Sequence, residues 1–500
     1  MTFLFFYLPI FLVLHLLTRK ILHRIQNLPP SPLLCLPIIG HLYLLKRPLH
    51  RTLSRISRRY GPVFFLQLGS RPAVVVSSPS AADQCLAKND IVFANRPNLM
   101  MGRIMAYNYT SLAWASYGDH WRNLRRISSL ELLSTHRLQT LSAIRRDEVR
   151  SLIHRLITIS KRRSDVDDRF VNLREGFVEL TQNSMMRMIA GKRYYGDSTE
   201  DLEEAARFRE IQTETIRVSS QSNLGDYLPI IRWVGGHKRL ENDMEEVQRK
   251  RDGFMQYLIE EHRRKMEAEI YCRLPSKEGI RKTLIEVLLV AGTDTSVNAM
   301  EWAFSLVLNH QEVLNKAQAE IDRHVGTDRL VDESDLPKLR YLQSIITETL
   351  RIYPPVPSLI PHESSDDCEV AGFHVPRGTT LFVNAWAIQN DPSVWVDPKS
   401  FRPERFDVVI GPKDGLRWMP FGSGRRGCPG EGLAMRMIGL TLGSLIQCFD
   451  WERPSKELID MTEGVGITMP KATPLTAKCR PRPNMLKLLS EQIGSINVVT

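Results

Sequence analysis

The stretch FGSGRRGCPG, residues 421–430, sets one cysteine, Cys428, among four glycines, two adjacent arginines and a proline. Directly behind it, EGLAMRMIGLTLGSLIQCF (431–449) repeats apolar residues at helical spacing, so the cysteine stands in a loop just ahead of a helix N-terminus. That position favours a thiolate, because the helix dipole and the free N–H groups point at the sulfur. Gly422, Gly424, Gly427 and Gly430 let backbone approach something flat and bulky, and Arg425 or Arg426 offers a counter-charge to carboxylates. Two readings stand at this point: a thiolate ligand to haem iron, or a buried inert cysteine, the common fate of that residue.

Three segments upstream sharpen the choice. LIEVLLVAGTDTSVNAMEWAFSLVLNH (284–310) has strongly helical flanks around a run of poor helix formers, Gly292 to Ser296. If the helix continues, Ala291 and Gly292 leave room for a small ligand, and Thr295 bonds back to the Ala291 carbonyl, which sets an acid, Asp294, beside an alcohol suited to proton relay. If it stops, the same residues cap two helices. YLQSIITETLRIYPP places Glu348 and Arg351 three apart on one helical face, either an exposed pair of small value or a buried one needing a further partner, for which FRPERF supplies Arg405. ASYGDHWRNLRRISS sets Trp121 and Arg125 one turn apart, on a basic surface helix or as two donors to a bound group.

Around these segments lies an ordinary globular composition, 43% hydrophobic and 25% charged over 500 residues. Seven scattered cysteines with no CxxC pair suit a reducing compartment. The net charge of +11 is spread along the chain, which argues against nucleic acid and for an acidic membrane or an acidic protein partner. TFLFFYLPIFLVLHLL (2–17), followed at once by Arg19 and Lys20, reads as a membrane helix with the rest of the chain on the cytosolic side. The division expected is a membrane anchor over residues 1–18, a basic, proline-rich hinge over 19–48 that holds the body off the bilayer, and one large domain over 49–500. That body is mainly α with a small β-sheet: VFFLQLG and PAVVVSS form a hairpin, and strands return after Cys368.

Together the four segments resemble the cytochrome P450 superfamily of haem-thiolate monooxygenases, by W-x-x-x-R at Trp121 and Arg125, A-G-x-D-T-S at 291–296, E-x-x-R at Glu348 and Arg351, P-E-R-F at 403–406, and F-x-x-G-x-R-x-C-x-G at 421–430. The resemblance implies a P450 fold with haem b between the oxygen-binding helix and the cysteine-loop helix, and Cys428 as the iron ligand. It further implies Trp121, Arg125, Arg426, His362 and Arg96 as haem-propionate donors, Asp294 and Thr295 as the catalytic acid–alcohol pair, and Glu348, Arg351 and Arg405 as a structural triad. O2, NADPH through a separate reductase docked on a basic face around Arg425 and Arg436, and an endoplasmic reticulum anchor complete the implied set. NYTSLAWASYGDHWRNLRRI, MRMIAGKRYYGD, PHESSDDCEVAGFHVPRGT and MTEGVGITMPKATPLTAKCRPR look like the plant microsomal branch with isoflavone hydroxylases. By the same resemblance, Met100, Trp114, Val287, Ala291, Val356, Leu359, Val465 and Ile467 line an apolar substrate pocket.

One stretch departs from that pattern. MEAEIYCRLPSKEGIRK (266–282) is several residues shorter than the family's, and Glu286 stands where the following helix is normally apolar. An unpaired carboxylate there is costly to bury. The leading expectation is a monooxygenase acting on an aromatic specialised metabolite. A haem-thiolate isomerase or dehydratase, and a catalytically silent haem protein serving as a scaffold, are the alternatives.

Overall fold

The computed structural model describes the chain except residues 1, 163–169, 197, 198, 200, 222, 234, 267–277, 408–415 and 491–500. The 32-residue helix Glu278–Asn309 is the axis of a mainly helical body. It runs unbroken through residues 292–296, so the cap alternative falls. The physical reason is that three hydroxyls bond back one turn: Thr293 to Leu289 O at 2.7 Å, Thr295 to Ala291 O at 2.6 Å and Ser296 to Gly292 O at 3.0 Å. Side chains that compete with a helix for backbone partners are here satisfied by it, while Met300, Trp302 and Phe304 bury its second half completely. Gly292 serves packing: a Cβ there would lie 2.8 Å from Met185 Sδ on the neighbouring helix Leu173–Ala190.

The helix Glu431–Cys448, behind the cysteine, packs against this axis, and its residues from Met437 to Cys448 are buried. The helix Arg340–Ile352 lies against both, and these elements share one large apolar core.

The expected hairpin is present: Val63–Leu68 pairs antiparallel with Arg71–Val76. Arg71–Val76 then runs parallel to Thr380–Val383, on which His362–Glu363 pairs antiparallel. A second sheet joins distant chain: Thr476–Pro481 lies between Phe170–Asn172 and Phe449–Glu452.

Residues 2–25 form a helix. Among the described residues, no helix is long and apolar enough to cross a membrane. The proline-rich segment differs from the spacer expected. It is laid along the first strand, with Phe65 N bonded to Pro30 O at 2.8 Å and His41 bonded to Gln67 through both its backbone and its ring. Gly40 permits this at φ +59°, where a Cβ would stand 2.1 Å from the Gln67 carbonyl oxygen. Most of the shortened stretch, 267–277, lies outside the described residues.

Candidate active site

The loop around Cys428 is held by its own backbone. Cys428 N donates to Phe421 O at 2.8 Å and Gly427 N to Gly424 O at 3.0 Å. Gly424, at φ +66°, sits so close to the Leu86 carbonyl that a Cβ would come within 1.9 Å of the oxygen, which is why only glycine fits. Cys428 itself is exposed. Yet burial pushes its thiol up, against the pull of the Gly430 N–H, Arg125 and the Glu431 N–H. The sulfur is thus reachable from outside while protein crowds its other sides. Here burial outweighs the helix N-terminus that favoured a thiolate. On the axial helix, Val290 is 41% exposed and Ala291 is also exposed, although the same helix is buried from Ser296 to Leu308.

Three guanidiniums gather on the flank of Cys428. Arg125 donates to Gly427 O at 2.6 Å. Arg426 donates to Ala94 O at 2.6 Å and to Ala115 O, and stacks 4.5 Å over the Trp121 ring. Buried Arg96 donates to Ala113 O, Ile360 O and Pro361 O. None of the three has a carboxylate partner among the described residues. Desolvation depresses all three: Arg96, repelled also by Arg426, falls well below the ordinary value, Arg426, repelled also by Arg125, falls to about 10, and Arg125 is lowered by burial alone. His362 is buried, its ring bonded to Phe93 O at 2.7 Å, and burial beside Arg96 keeps it neutral. Trp121 spends its N–H on Leu112 O at 3.1 Å.

On the axial helix, Asp294 is gripped through one oxygen: Thr468 donates to Oδ2 at 2.6 Å and Asn298 at 3.2 Å. Thr468 belongs to the loop whose tip carries Val465 and Ile467, 62% and 59% exposed. Leu359, at φ +49°, reaches the cysteine loop, where a Cβ on Gly422 would lie 3.8 Å from it. Val356 and Trp114 are half-buried. Met100, by contrast, is a core residue: it packs with Ile104, Val218 and Met244, and its N–H donates to Asp226. Val287 packs against the cluster of Leu112, Trp121 and Leu124.

The family model described as Cytochrome P450 matches residues 29–476. The chain is a cytochrome P450. It is 49% identical over 479 residues to Cytochrome P450 81Q32 of Catharanthus roseus, covering 94% of each chain. It is 46% identical over 504 residues to an isoflavone 2'-hydroxylase of Glycyrrhiza echinata, covering 97% of this chain and 98% of the relative. A zebra fish cytochrome P450 solved with abiraterone superposes with a TM-score of 0.73 at 24% identity, covering 88% of this chain and all of the other. The isoflavone hydroxylase-like branch read in the sequence is thus where its relatives lie. As a P450 monooxygenase it uses haem-thiolate iron, O2 and electrons from NADPH delivered by a reductase. The site fits that cofactor. A haem brings two carboxylates, and this cleft offers an accessible thiol flanked by guanidiniums that lack any.

In this P450 Glu348 is bonded by both Arg351 and Arg405. Arg351 binds Glu348 in two places, Nε to Oε2 at 2.6 Å and Nη2 to Oε1 at 2.8 Å, and Arg405 Nε adds 3.1 Å to Oε1. Arg351 and Glu348 are fully buried, so the surface-pair alternative is excluded. Arg425 and Arg436 are less free than a docking face would want: Arg425 pairs with Asp90 at 2.8 Å and Arg436 lies 3.6 Å from Glu333. Glu286 is not unpaired, because Arg251 reaches it at 2.7 Å. The sequence reading missed Arg251, Asn298 and Thr468. Only Asn298, one turn after Asp294, left a signal in the helical spacing.

Proposed function

We propose that this cytochrome P450 hydroxylates a flat, hydrophobic phenolic metabolite of the isoflavonoid or related phenylpropanoid class, with Cys428 as the proximal iron ligand. The observation that carries the reading is the accessible Cys428 thiol beside Arg96, Arg125 and Arg426, three guanidiniums bonded only to carbonyls. The substrate class is supported by relatives named isoflavone 2'-hydroxylase, isoflavone 3'-hydroxylase and (+)-piperitol/(+)-sesamin synthase. The balanced reaction is RH + O2 + NADPH + H+ → ROH + H2O + NADP+, with electrons passed singly by a separate NADPH–cytochrome P450 reductase.

Bound haem supplies the O2-activating chemistry. The chain does the rest. Arg125 and Arg426, with Arg96 behind them, neutralise and orient the propionates. Trp121 buttresses Arg426 by stacking. Glu348 with Arg351 and Arg405 locks the helix Arg340–Ile352 to the segment Pro403–Phe406. Thr295 and Asp294 hold and pass protons where the axial helix faces the cleft. Val465, Ile467, Val356, Leu359 and Ala291 present apolar surface that excludes water from a hydrophobic substrate.

The same proposal places the enzyme on the endoplasmic reticulum membrane, anchored by residues 1–18 with its catalytic body in the cytosol. Its support is the sequence of residues 2–17, an apolar run ahead of Arg19, Lys20 and Arg24, with Phe11, Leu14 and Leu17 exposed.

The test is the carbon monoxide difference spectrum of reduced microsomes, wild type beside Cys428→Ala, followed by turnover of an isoflavone and a lignan with added reductase. A red-shifted thiolate band lost in the variant, with NADPH-dependent hydroxylated product, is expected. A wild-type band with no product from either compound would overturn the substrate class, and an unchanged band in Cys428→Ala would overturn the ligand.

A further inference from the structure

Asp294 lies midway along the axial helix, yet its orientation is set by a residue 174 positions later in the chain. Thr468 Oγ1 donates to Asp294 Oδ2 at 2.6 Å and Asn298 Nδ2 donates to the same oxygen at 3.2 Å. With both donors on Oδ2, the carboxylate is fixed by one oxygen and presents the other. Thr468 is itself anchored through its neighbour. The next residue, Met469, donates from its N–H to Pro355 O at 2.9 Å and accepts from the Trp302 indole at 2.7 Å. Trp302 lies two turns beyond Asp294 on the same helix, so loop and helix are fastened at two points.

The turn between the exposed tip and Thr468 is tight. A Cβ on Gly466 would stand 3.0 Å from Thr468 O and 3.6 Å from its hydroxyl. Val465 and Ile467, largely exposed, flank that glycine. Pressure on the tip therefore falls on the residue that orients the acid.

We propose that Thr468 is a positioning residue for Asp294, held so that contact of substrate with Val465 and Ile467 is transmitted to the carboxylate that delivers protons. The proposal rests on the reading of Asp294 as proton carrier and of the 464–469 loop as pocket wall given above. Its consequence is that proton delivery is best directed when the pocket is filled, which limits loss of electrons as hydrogen peroxide, O2 + 2e− + 2H+ → H2O2.

The experiment uses the full-length holoenzyme with reductase, NADPH and an isoflavone, comparing Thr468→Val, Thr468→Ser and Asp294→Asn, with the carbon monoxide band as the control for haem loading. Thr468→Ala replaces the valine variant if that one fails to load haem. Two quantities are read: peroxide formed per NADPH, and the infrared carboxylate difference between each Thr468 variant and its parent, in the wild-type and Asp294→Asn backgrounds. The expected result is a several-fold rise in peroxide for Thr468→Val, near-normal behaviour for Thr468→Ser, and a carboxylate difference band that vanishes in the Asp294→Asn background. Thr468→Val with normal peroxide yield and no such band, beside an uncoupled Asp294→Asn, would overturn the proposal and leave the role of Asp294 standing. An Asp294→Asn enzyme with normal peroxide yield would overturn the proton-carrier reading and this proposal with it.

Discussion

Arg125 Nη1 donates to the carbonyl of Gly427 at 2.6 Å, tying the helix Asp119–Ile127 to the residue that immediately precedes Cys428. One guanidinium thus braces the cysteine loop and, in the proposed function, is also one that would hold a propionate. Arg125→Ala removes both, and Arg125→Lys keeps charge without the planar fork. Haem content per protein, read from the carbon monoxide band, is expected to fall several-fold in Arg125→Ala and to recover only in part in Arg125→Lys. Full haem loading in the alanine variant would count against the propionate role.

Glu348 receives four bonds with no surface exposed: two from Arg351, one from Arg405 and one from the Arg402 N–H at 3.1 Å. Glu348→Gln leaves a buried guanidinium without its counter-ion, at a cost of about 3–5 kcal/mol. The holoenzyme yield is expected to collapse and any folded fraction to unfold at markedly lower denaturant. Arg405→Lys, at a position with carbonyl partners in reserve, should be milder in the same measurement.

The buried Glu286–Arg251 pair predicts a cycle rather than a single loss. Burial pushes the Glu286 carboxyl up despite Arg251 at 2.7 Å, so the pair is only partly compensated. Glu286→Leu alone strands Arg251 and should cost about 3 kcal/mol, whereas Glu286→Leu with Arg251→Met should recover most of it. Equal destabilisation of the single and double variants in urea melts would show that the pair is not the relevant coupling.

Glu463 gives a pH dependence with a definite sign. Burial pushes its carboxyl up, but bonds from His50 at 3.1 Å and from Arg51 outweigh it and lower it from an ordinary 4.5 to about 2. A carboxylate lower in the folded state than in the unfolded chain stabilises above pH 4.5, and that contribution is lost as pH falls toward 2. With Arg51 half in solvent, the amount is about 2 kcal/mol. Glu463→Gln should flatten the acid limb of stability against pH by that much. A parallel decline in both proteins would exclude the assignment.

What the sequence made legible was short-range or carried by motifs. The back-bond from Thr295 to Ala291 follows from helical spacing once the helix continues, and the spacing of Glu348 and Arg351 put them on one face, while their burial as a lock with Arg405 came from the family resemblance. The hairpin over residues 63–76 could be read from β-branched runs around Gly69. What escaped depends on contacts that no periodicity reports. Periodicity names the face of an element and is silent on what meets it. Thus Thr468 and Asp294 are 174 residues apart, and Gly292 turns out to face Met185 on another helix. The prolines of residues 29–37 correctly excluded a helix, but nothing in them told that the segment would lie along a strand instead of standing free. Met100 was assigned to the pocket by its segment, and its packing against Val218 and Met244 places it in a core.

The strand Thr476–Pro481 lies between Phe170–Asn172, from far earlier in the chain, and the nearer Phe449–Glu452. Just before it, Leu475 N donates to fully buried Glu301 at 2.8 Å, on the helix that carries Asp294. Synthesis runs from the N-terminus, so this piece is made after the helix that carries Asp294 and after both of its sheet partners. Until it emerges, the axial helix carries an acidic side chain short of a donor and the sheet lacks its middle strand. Closure of the axial helix and of this sheet therefore waits on residues 475–481, and a nascent chain stalled before residue 475 would leave both unfinished however much of the body had already been made.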